Sequence, residues 1–346
     1  MVRVGVVGAT GYGGVESVRL LLRHPQVQIT YTTSETYRGQ KLDEVIPAFR
    51  GCTDLVCEAF SLEEAARRCD VVFLARTDAG WSMEVAPKLL ELGVRVVDFS
   101  ADFRLRDPAV YAKWYRKDHT APHLLDEAAY GIPELWRDAI RGSRLVANPG
   151  CYPTSVLLGL APLLGAGLAR DVVVSASSGV SGAGRSKITL DYHFPEVNES
   201  MRPYGVQGHR HRPEMEQGMS LLAGRDLRIA FVPHLVPMTR GILSTAFVSL
   251  TRPVDQDELD GLYQSFYSGE RFVQVLTSGR LPETGSVCGS NNCHIAAVAD
   301  AHTGRAVVMS AIDNLVKGMA GQAVQNMNLM MGLPEESGLD QPGLYP

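Results

Sequence analysis

The sequence predicts an α/β protein with two domains. Residues 1-150 should form a doubly wound parallel sheet, and residues 151-312 an α+β domain on a largely antiparallel sheet. Three observations predict this. An apolar run, Val2 to Val7, enters a glycine-rich turn that opens a helical pattern. Apolar strands and amphipathic helices then alternate through short connections as far as Ala147, the pattern of parallel β-α-β units. From Asp171 the texture changes to strand after strand, interrupted by one clear helix.

The chain has 346 residues, enough for two domains, and is 45% hydrophobic and 21% charged, a soluble globular profile. A net charge of -5 gives no reason to expect nucleic acid or an anionic membrane as partner. No apolar run reaches the ~18 residues of a membrane span. The first residues enter a strand without a basic segment and apolar signal region, so a cytoplasmic protein is expected. Cys52, Cys57, Cys69, Cys151, Cys288 and Cys293 make no C-x-x-C pair, and the histidines complete no zinc pattern, so no metal is expected.

Each element follows in order. Val2 to Val7 reads as a buried strand, and Val15 to Arg23 as the helix after it. Between them Gly8, Gly11 and Gly14 are spaced G-x-x-G-x-x-G. Strand, glycine turn and helix are the setting of a Rossmann-type dinucleotide fingerprint, in which bare backbone approaches a pyrophosphate and the helix N-terminus receives its charge. Gly8, Thr10, Gly11, Tyr12, Gly13 and Gly14 are therefore candidate cofactor contacts. The second strand is Val27 to Thr33. Where an NAD enzyme usually places a ribose-binding acid, this chain has Ser34, Glu35, Thr36 and Arg38, with Lys41 close behind. Small hydroxyl residues beside cations suit a 2′-phosphate, so NADP(H) is expected. Glu35 is the competing residue, the ribose acid if the strand ends one residue later.

Cys69 to Ala75 and Val94 to Phe99 are further buried strands, and Trp81 to Leu92 is an amphipathic helix that Gly93 ends. Arg104 follows a strand end, on the edge where open α/β sheets bind ligands. It fits an anion clamp, or an ion pair with Asp102 or Asp107. Arg144 to Ala147 leads into Asn148-Pro149-Gly150-Cys151-Tyr152-Pro153-Thr154 and then an apolar stretch of helical length. Cys151 should thus stand at a helix N-terminus, where partial positive charge favours a thiolate. The alternative is a small buried hydrophobe.

In the second domain Val172 to Ser178 is a strand, entering a glycine-rich loop, Gly179 to Lys187, with cations Arg185 and Lys187. Such a loop can wrap an anion or simply connect. Arg228 to Leu235, Gly241 to Leu250, Phe272 to Leu276, Cys293 to Ala299 and Ala306 to Ile312 read as strands, and Gln256 to Tyr267 as a helix. His209-Arg210-His211-Arg212-Pro213-Glu214 could pair a proton donor with an anion clamp, or be a solvated basic loop. Asp313 to Met330 reads as one long helix, and the segment 313-346 should return to the nucleotide domain.

Several of these strings occur together and in one order. The chain resembles the N-acetyl-gamma-glutamyl-phosphate reductase family, the arginine-biosynthesis branch of the aspartate-semialdehyde dehydrogenase superfamily, over nearly its whole length. Gly8 to Gly14, Ser100 to Leu105, Asn148 to Thr154, Ser178 to Arg185, Glu196 to Glu199, His209 to Glu214, Pro233 to Gly241 and Asp313 to Gly318 carry the likeness. The resemblance implies NADPH-dependent reduction of N-acetyl-glutamyl 5-phosphate to the semialdehyde, with phosphate released from a thioester on Cys151. It implies His211 as proton donor with His209 as the lesser candidate. Arg104, Arg185 and Arg212 become candidates for the phosphate and the α-carboxylate, joined by Asn148, Ser181 and Gly182. Asn314 is expected near the cofactor, and a homodimer or homotetramer through the second domain. Rival readings are a reductase of carrier-linked aminoadipate phosphate in lysine biosynthesis, an aspartyl phosphate reductase, and a non-catalytic NADP-sensing regulator.

Overall fold

The computed structural model describes residues 1–186 and 189–344, so Lys187 of the glycine-rich loop lies outside the described residues. The chain forms two compact units. The first holds Met1–Pro149, Gly184–Ser186 and Met319–Asp340; of the described residues, the second holds Gly150–Ala183, 189–318 and 341–344.

The first unit is built on seven strands: β1 (Val2–Val7), β2 (Val27–Thr33), β3 (Cys57–Glu58), β4 (Val71–Leu74), β5 (Arg95–Asp98), β6 (Ala129–Tyr130) and β7 (Leu145–Ala147). They lie in the order β3-β2-β1-β4-β5-β7-β6. All pairings are parallel. The order reverses beside β1, the switch point at which doubly wound sheets bind nucleotides. Helices α1 (Tyr12–Leu21), α2 (Leu42–Val45), α3 (Leu62–Arg68), α4 (Trp81–Glu91), α5 (Pro108–Tyr115) and α6 (Pro133–Ile140) connect them. Buried Val, Leu and Phe of β1, β4 and β5 make the apolar runs expected of strands covered on both faces.

The second unit carries β8 (Ala169–Ser178), β9 (Arg202–Pro203), β10 (Ile229–Leu235), β11 (Ile242–Leu250), β12 (Val273–Val275), β13 (Cys293–Asp300) and β14 (Arg305–Ile312), in the order β12-β13-β14-β11-β8-β10-β9. Antiparallel pairs join β8 to β11, β11 to β14 and β13 to β14, while β8/β10 and β12/β13 are parallel. The fold class therefore agrees with the sequence reading.

Under this sheet runs α7 (Cys151–Gly165), with every residue from Tyr152 to Leu164 buried. An apolar helix without a polar face must be covered all round. The helices α8 (Phe194–Val197), α9 (Arg212–Ala223), α10 (Gln256–Phe266) and α11 (Thr284–Val287) complete this unit. The His209 to Glu214 string is divided: His209 to His211 precede the helix, with Arg210 exposed, and α9 starts at Arg212 with Pro213 and Glu214 in its first turn. It packs tightly on α7: a β-carbon added to Gly218 would lie 2.6 Å from Leu157 Cδ1.

The single helix expected from Asp313 to Met330 is broken into parts. Asp313 Oδ1 accepts the N–H groups of Leu315 (2.8 Å) and Val316 (3.1 Å), and the N–H of Gly318 donates to the Asp313 carbonyl at 2.9 Å. That last bond spans five residues and opens a π-helical turn, Val316–Ala320, before α12 (Gly321–Met330). An aspartate that bonds its own following backbone competes with a regular first turn. Among the described residues no helix is long and apolar enough to cross a membrane.

Candidate active site

In the first unit, the turn between β1 and α1 leaves its backbone bare. Gly8 sits at φ +85, where only glycine is unstrained. A β-carbon on Gly14 would lie 2.2 Å from the Gly8 carbonyl oxygen, so the turn closes only around glycine. The N-cap of α1 is Gly11, with no side-chain cap and no acid in the first turn. The leading N–H groups of α1 thus lack a side-chain acceptor at the N-cap, the arrangement that receives a phosphate. The Gly8 N–H donates to Thr33 Oγ1 at 3.2 Å, and Thr10 Oγ1 lies 2.9 Å from Ser34 Oγ. These bonds tie the turn to the end of β2. That strand ends at Thr33, so buried Ser34 stands at its tip, while Glu35, Thr36 and Arg38 are exposed, as is Tyr12. The condition that would make Glu35 a ribose acid is not met, and the residues present fit a 2′-phosphorylated dinucleotide.

Arg185 belongs to this unit. One of its Nη1 hydrogens goes to the Thr10 carbonyl at 2.9 Å, and its Cζ stands 5.6 Å from the centre of the Tyr37 ring. Arg104 is buried. Its Nε donates to the Asn148 carbonyl and its Nη2 to the Phe99 carbonyl, each at 2.8 Å. Asp102 instead accepts the Gly80 N–H at 2.9 Å and the Tyr111 hydroxyl at 2.6 Å. The side chain of Asn148 is also engaged: Nδ2 donates to the Met319 carbonyl at 2.9 Å, and Oδ1 accepts from Asn326 at 3.1 Å.

The second unit holds the nucleophile candidate. Cys151 is the first residue of α7, and its N-cap, Gly150, is extended (φ -69, ψ 151) with no side-chain cap. The N–H of Gly150 donates to Glu214 Oε1 at 2.8 Å, and Glu214 is 1% exposed. The His211 ring lies against the same glycine: a β-carbon there would come 2.6 Å from His211 Nε2. Behind, a β-carbon on Gly318 would come 2.8 Å from Cys151 Cβ. The turn around Cys151 is thus packed by an imidazole on one side and by the π-helical turn on another, and neither glycine admits a side chain.

The two histidines differ in surroundings. His209 sits edge-on to Tyr152, Tyr204 and Phe231, with ring centroids 5.4, 5.5 and 5.5 Å away. Its Nδ1 accepts the His211 N–H at 3.1 Å, and burial, with the nearby Arg210 charge, pulls its pKa down to about 4. A histidine held neutral that far below neutrality is a poor proton donor at pH 7. Tyr152 and Tyr204 share a hydroxyl contact at 2.9 Å, and burial raises both phenols well above their usual range.

Asn314 is 1% exposed; its Oδ1 accepts the Gly241 N–H at 2.7 Å and its Nδ2 donates to Ser181 Oγ at 2.9 Å. It draws Ser181 and the adjoining Gly182 together within the second unit. Arg212 pairs with Glu216 one turn along α9, Nε to Oε1 at 3.1 Å. Two residues that the sequence left without a role stand beside the candidate nucleophile, Glu214 and Gly318. The signal for Glu214 was its place in the His209 to Glu214 string; Gly318, at the end of the Asp313 to Gly318 string, carried none beyond being small.

Comparison with known proteins adds the following. Residues 3–143 match the family model described as semialdehyde dehydrogenase, NAD binding domain, and residues 151–314 match semialdehyde dehydrogenase, dimerisation domain. Two curated proteins named N-acetyl-gamma-glutamyl-phosphate reductase align over all of this chain and all of their own. That of Desulforamulus reducens is 51% identical over 348 residues, and that of Desulforudis audaxviator 54% over 351. Among solved structures, aspartate semialdehyde dehydrogenase II of Vibrio cholerae, complexed with ASA, superposes with a TM-score of 0.74 at 17% identity, covering 96% of this chain and 98% of its own. Aspartate semialdehyde dehydrogenase of Candida albicans, with NADP, superposes with a TM-score of 0.71 at 16% identity, covering 95% and 98%.

Proposed function

The chain belongs to the N-acetyl-gamma-glutamyl-phosphate reductases of the semialdehyde dehydrogenase family, and from that premise we propose how its own residues carry the reaction. The protein is an NADP-dependent oxidoreductase of arginine biosynthesis that reduces N-acetyl-glutamyl 5-phosphate to N-acetyl-glutamate 5-semialdehyde and releases phosphate. The observation that carries the residue-level reading is the seat of Cys151: an uncapped helix N-terminus with His211 against Gly150 and Glu214 holding the Gly150 N–H.

The partial positive charge of the α7 N-terminus favours the Cys151 thiolate. Its sulfur attacks the acyl carbon, a C–S bond forms, the C–O bond to the phosphoryl group breaks, and phosphate leaves. Bound NADPH supplies the hydride that reduces the resulting thioester. The C–S bond then breaks, returning the thiolate and freeing the aldehyde. Covalent catalysis helps because a thioester accepts hydride more readily than a carboxylate. At each tetrahedral stage the oxyanion needs donors, and the N–H groups of the first turn of α7 and a protonated His211 fill that role. His209, held neutral in its aromatic cluster, supports His211 rather than exchanging protons itself. Glu214 orients the turn through the Gly150 N–H. In the first unit, the bare turn and the leading N–H groups of α1 would hold the pyrophosphate, and Ser34, Thr36 and Arg38 would hold the 2′-phosphate.

Running the reaction backwards tests this, because acyl phosphates hydrolyse in water. N-acetyl-glutamate semialdehyde, phosphate and NADP+ should yield NADPH with the parent protein and none with Cys151→Ala. Turnover retained by that variant would remove Cys151 from the chemistry, and a parent active only on a carrier-linked aminoadipate semialdehyde would move the chain to the lysine-pathway reading.

Homo-oligomerisation follows from the family, and we place the dimer contact on the face of the second sheet opposite α7. There Val173 pairs with Phe247, Phe247 with Val307, and Val307 with Val298 across four adjacent strands. Val173, Phe247 and Val298 are each 39 to 40% exposed, a row of apolar side chains that a second copy would cover. Phe247→Glu should lower the mass in sedimentation to that of one chain; an unchanged mass would locate the contact elsewhere. None of the six cysteines is in a disulfide, and a nucleophilic thiol needs a reducing compartment, which supports the cytoplasm.

A further inference from the structure

Arg185 was a candidate for the substrate's phosphate or carboxylate, but its bonds lie elsewhere. Its guanidinium links two segments of the first unit, the glycine turn through the Thr10 carbonyl and the loop after β2 through the Tyr37 ring. Those segments are already tied to each other. Ser34 Oγ contacts Thr10 Oγ1 at 2.9 Å and accepts the Tyr37 N–H at 3.3 Å. In a doubly wound sheet the first segment carries the pyrophosphate and the second the adenosine ribose.

Three features set this cation apart from an ordinary surface arginine. No carboxylate among the described residues pairs with it. It is half-buried, whereas Arg38, on the loop after β2, is exposed. One of its N–H groups goes to a carbonyl and its Cζ stands 5.6 Å from the centre of the Tyr37 ring, which leaves other donors of the guanidinium fork for an incoming anion. A part-buried guanidinium without a carboxylate is favourable where an anion arrives. The end of β2 contributes a serine rather than an acid, so the anion matched to this place is a phosphate on the ribose 2′ position.

We propose that Arg185 is a specificity-determining residue that binds the 2′-phosphate of the nicotinamide cofactor, selecting NADP(H) over NAD(H), rather than a substrate-binding residue. The proposal rests on the NADP-dependent reading above. It also gives the glycine-rich loop a second task, since Gly184, at φ +87, lets the chain turn so that Arg185 reaches the nucleotide unit.

The test uses the full chain and two fragments that need no catalysis, adenosine 2′,5′-bisphosphate and 5′-AMP, titrated by calorimetry against the parent, Arg185→Gln and Arg185→Lys. The parent should prefer the bisphosphate. Arg185→Gln should lose about 10- to 100-fold in affinity for it, the range expected of one charged hydrogen-bonding partner, with 5′-AMP affinity nearly unchanged. Arg185→Lys should recover part of the loss. Reverse-reaction KM for phosphate and semialdehyde should stay near the parent's. Bisphosphate affinity unchanged in Arg185→Gln, or an equal loss for both fragments, overturns the proposal; so does a raised KM for phosphate or semialdehyde with nucleotide binding intact. A parent without preference for the bisphosphate overturns the NADP reading and this proposal together. A parent that binds the bisphosphate preferentially but shows no phosphate-dependent turnover defeats the reductase reading and leaves the role of Arg185 standing.

Discussion

Gly318→Ala probes the seat of the nucleophile without touching a reacting atom. The added carbon would lie 2.8 Å from Cys151 Cβ, 3.4 Å from Cys151 Cα and 3.3 Å from the Asp313 carbonyl oxygen. Carbon pairs are comfortable at roughly 3.5–4.0 Å, so Cys151 or the π-helical turn has to move by about 1 Å. Overpacking of this kind costs about 1–3 kcal/mol of stability, which a domain of this size survives. The same displacement matters far more to the chemistry, because a misplacement of ~1 Å can cost about 10²-fold in rate. Gly318→Ala should therefore fold, with a slightly lower urea midpoint, and lose about 100-fold in kcat of the reverse reaction. The assay is NADPH formation at saturating phosphate and semialdehyde, beside a urea melt of the same preparation. A folded variant whose kcat stays within about twofold of the parent would show that the turn does not fix the nucleophile, and the rate argument from proximity would fail.

Two further predictions concern pH. His209 has a folded pKa of about 4 against 6.5 unfolded, so the unfolded chain binds the extra proton between those values. Stability is then full above pH 6.5 and falls as pH drops towards 4, by up to about 3 kcal/mol, and His209→Phe should flatten that part of the curve of Tm against pH. If the slope persists in His209→Phe, another group supplies it. Asp98 works the other way, because burial first, and then the neighbouring Asp102, raise its pKa to about 6 from 3.8. Here the folded chain holds the proton, so stability is fullest below pH 3.8 and is lost as pH rises through 6. Asp98→Asn should be more stable than the parent at pH 8, by at most about 3 kcal/mol, with the advantage vanishing near pH 4. An equal difference at both pH values would assign the effect to lost hydrogen bonds with Ser82 and Ser100.

The sheets were legible because their signals are local. Val2 to Val7 and Val27 to Thr33 are apolar runs between turn residues, and β1 and β2 have those ends. The helices that escaped notice are short or weakly apolar. α3 and α5 announce themselves through the caps Ser61 and Asp107, and α9 through Pro213 and Glu214, but none has a strong apolar stripe. The π-helical turn had no chance of being read from spacing, since Gly318 and Asp313 meet through a bond that depends on how the Asp313 side chain captures Leu315 and Val316. The candidate site followed the same division. The settings of Cys151 and of the Gly8 to Gly14 turn, each at a helix N-terminus, depend on local chain direction and were legible. The distinction between His209 and His211 depends on Tyr152 and Phe231, which are distant in sequence, and needed the fold.

Arg104, Arg185 and Arg212 show why residue type alone could not assign the anion contacts. All three looked alike in the sequence, each a cation beside a suggestive motif. In the structure Arg104 holds the carbonyls of Phe99 and Asn148, Arg212 pairs with Glu216, and Arg185 joins the nucleotide unit. What an arginine binds is decided by which acceptors reach its fork, and those acceptors are mostly backbone carbonyls brought in by packing. The same holds for the proposed nucleophile. Nothing in the thiol of Cys151 distinguishes it from the other five; an uncapped helix end, a glycine that admits His211, and a second glycine behind it do. On that reading reactivity is a property of bare backbone, which is why Gly150 and Gly318, residues with no chemistry of their own, are positions beside Cys151 where a single methyl group should be felt.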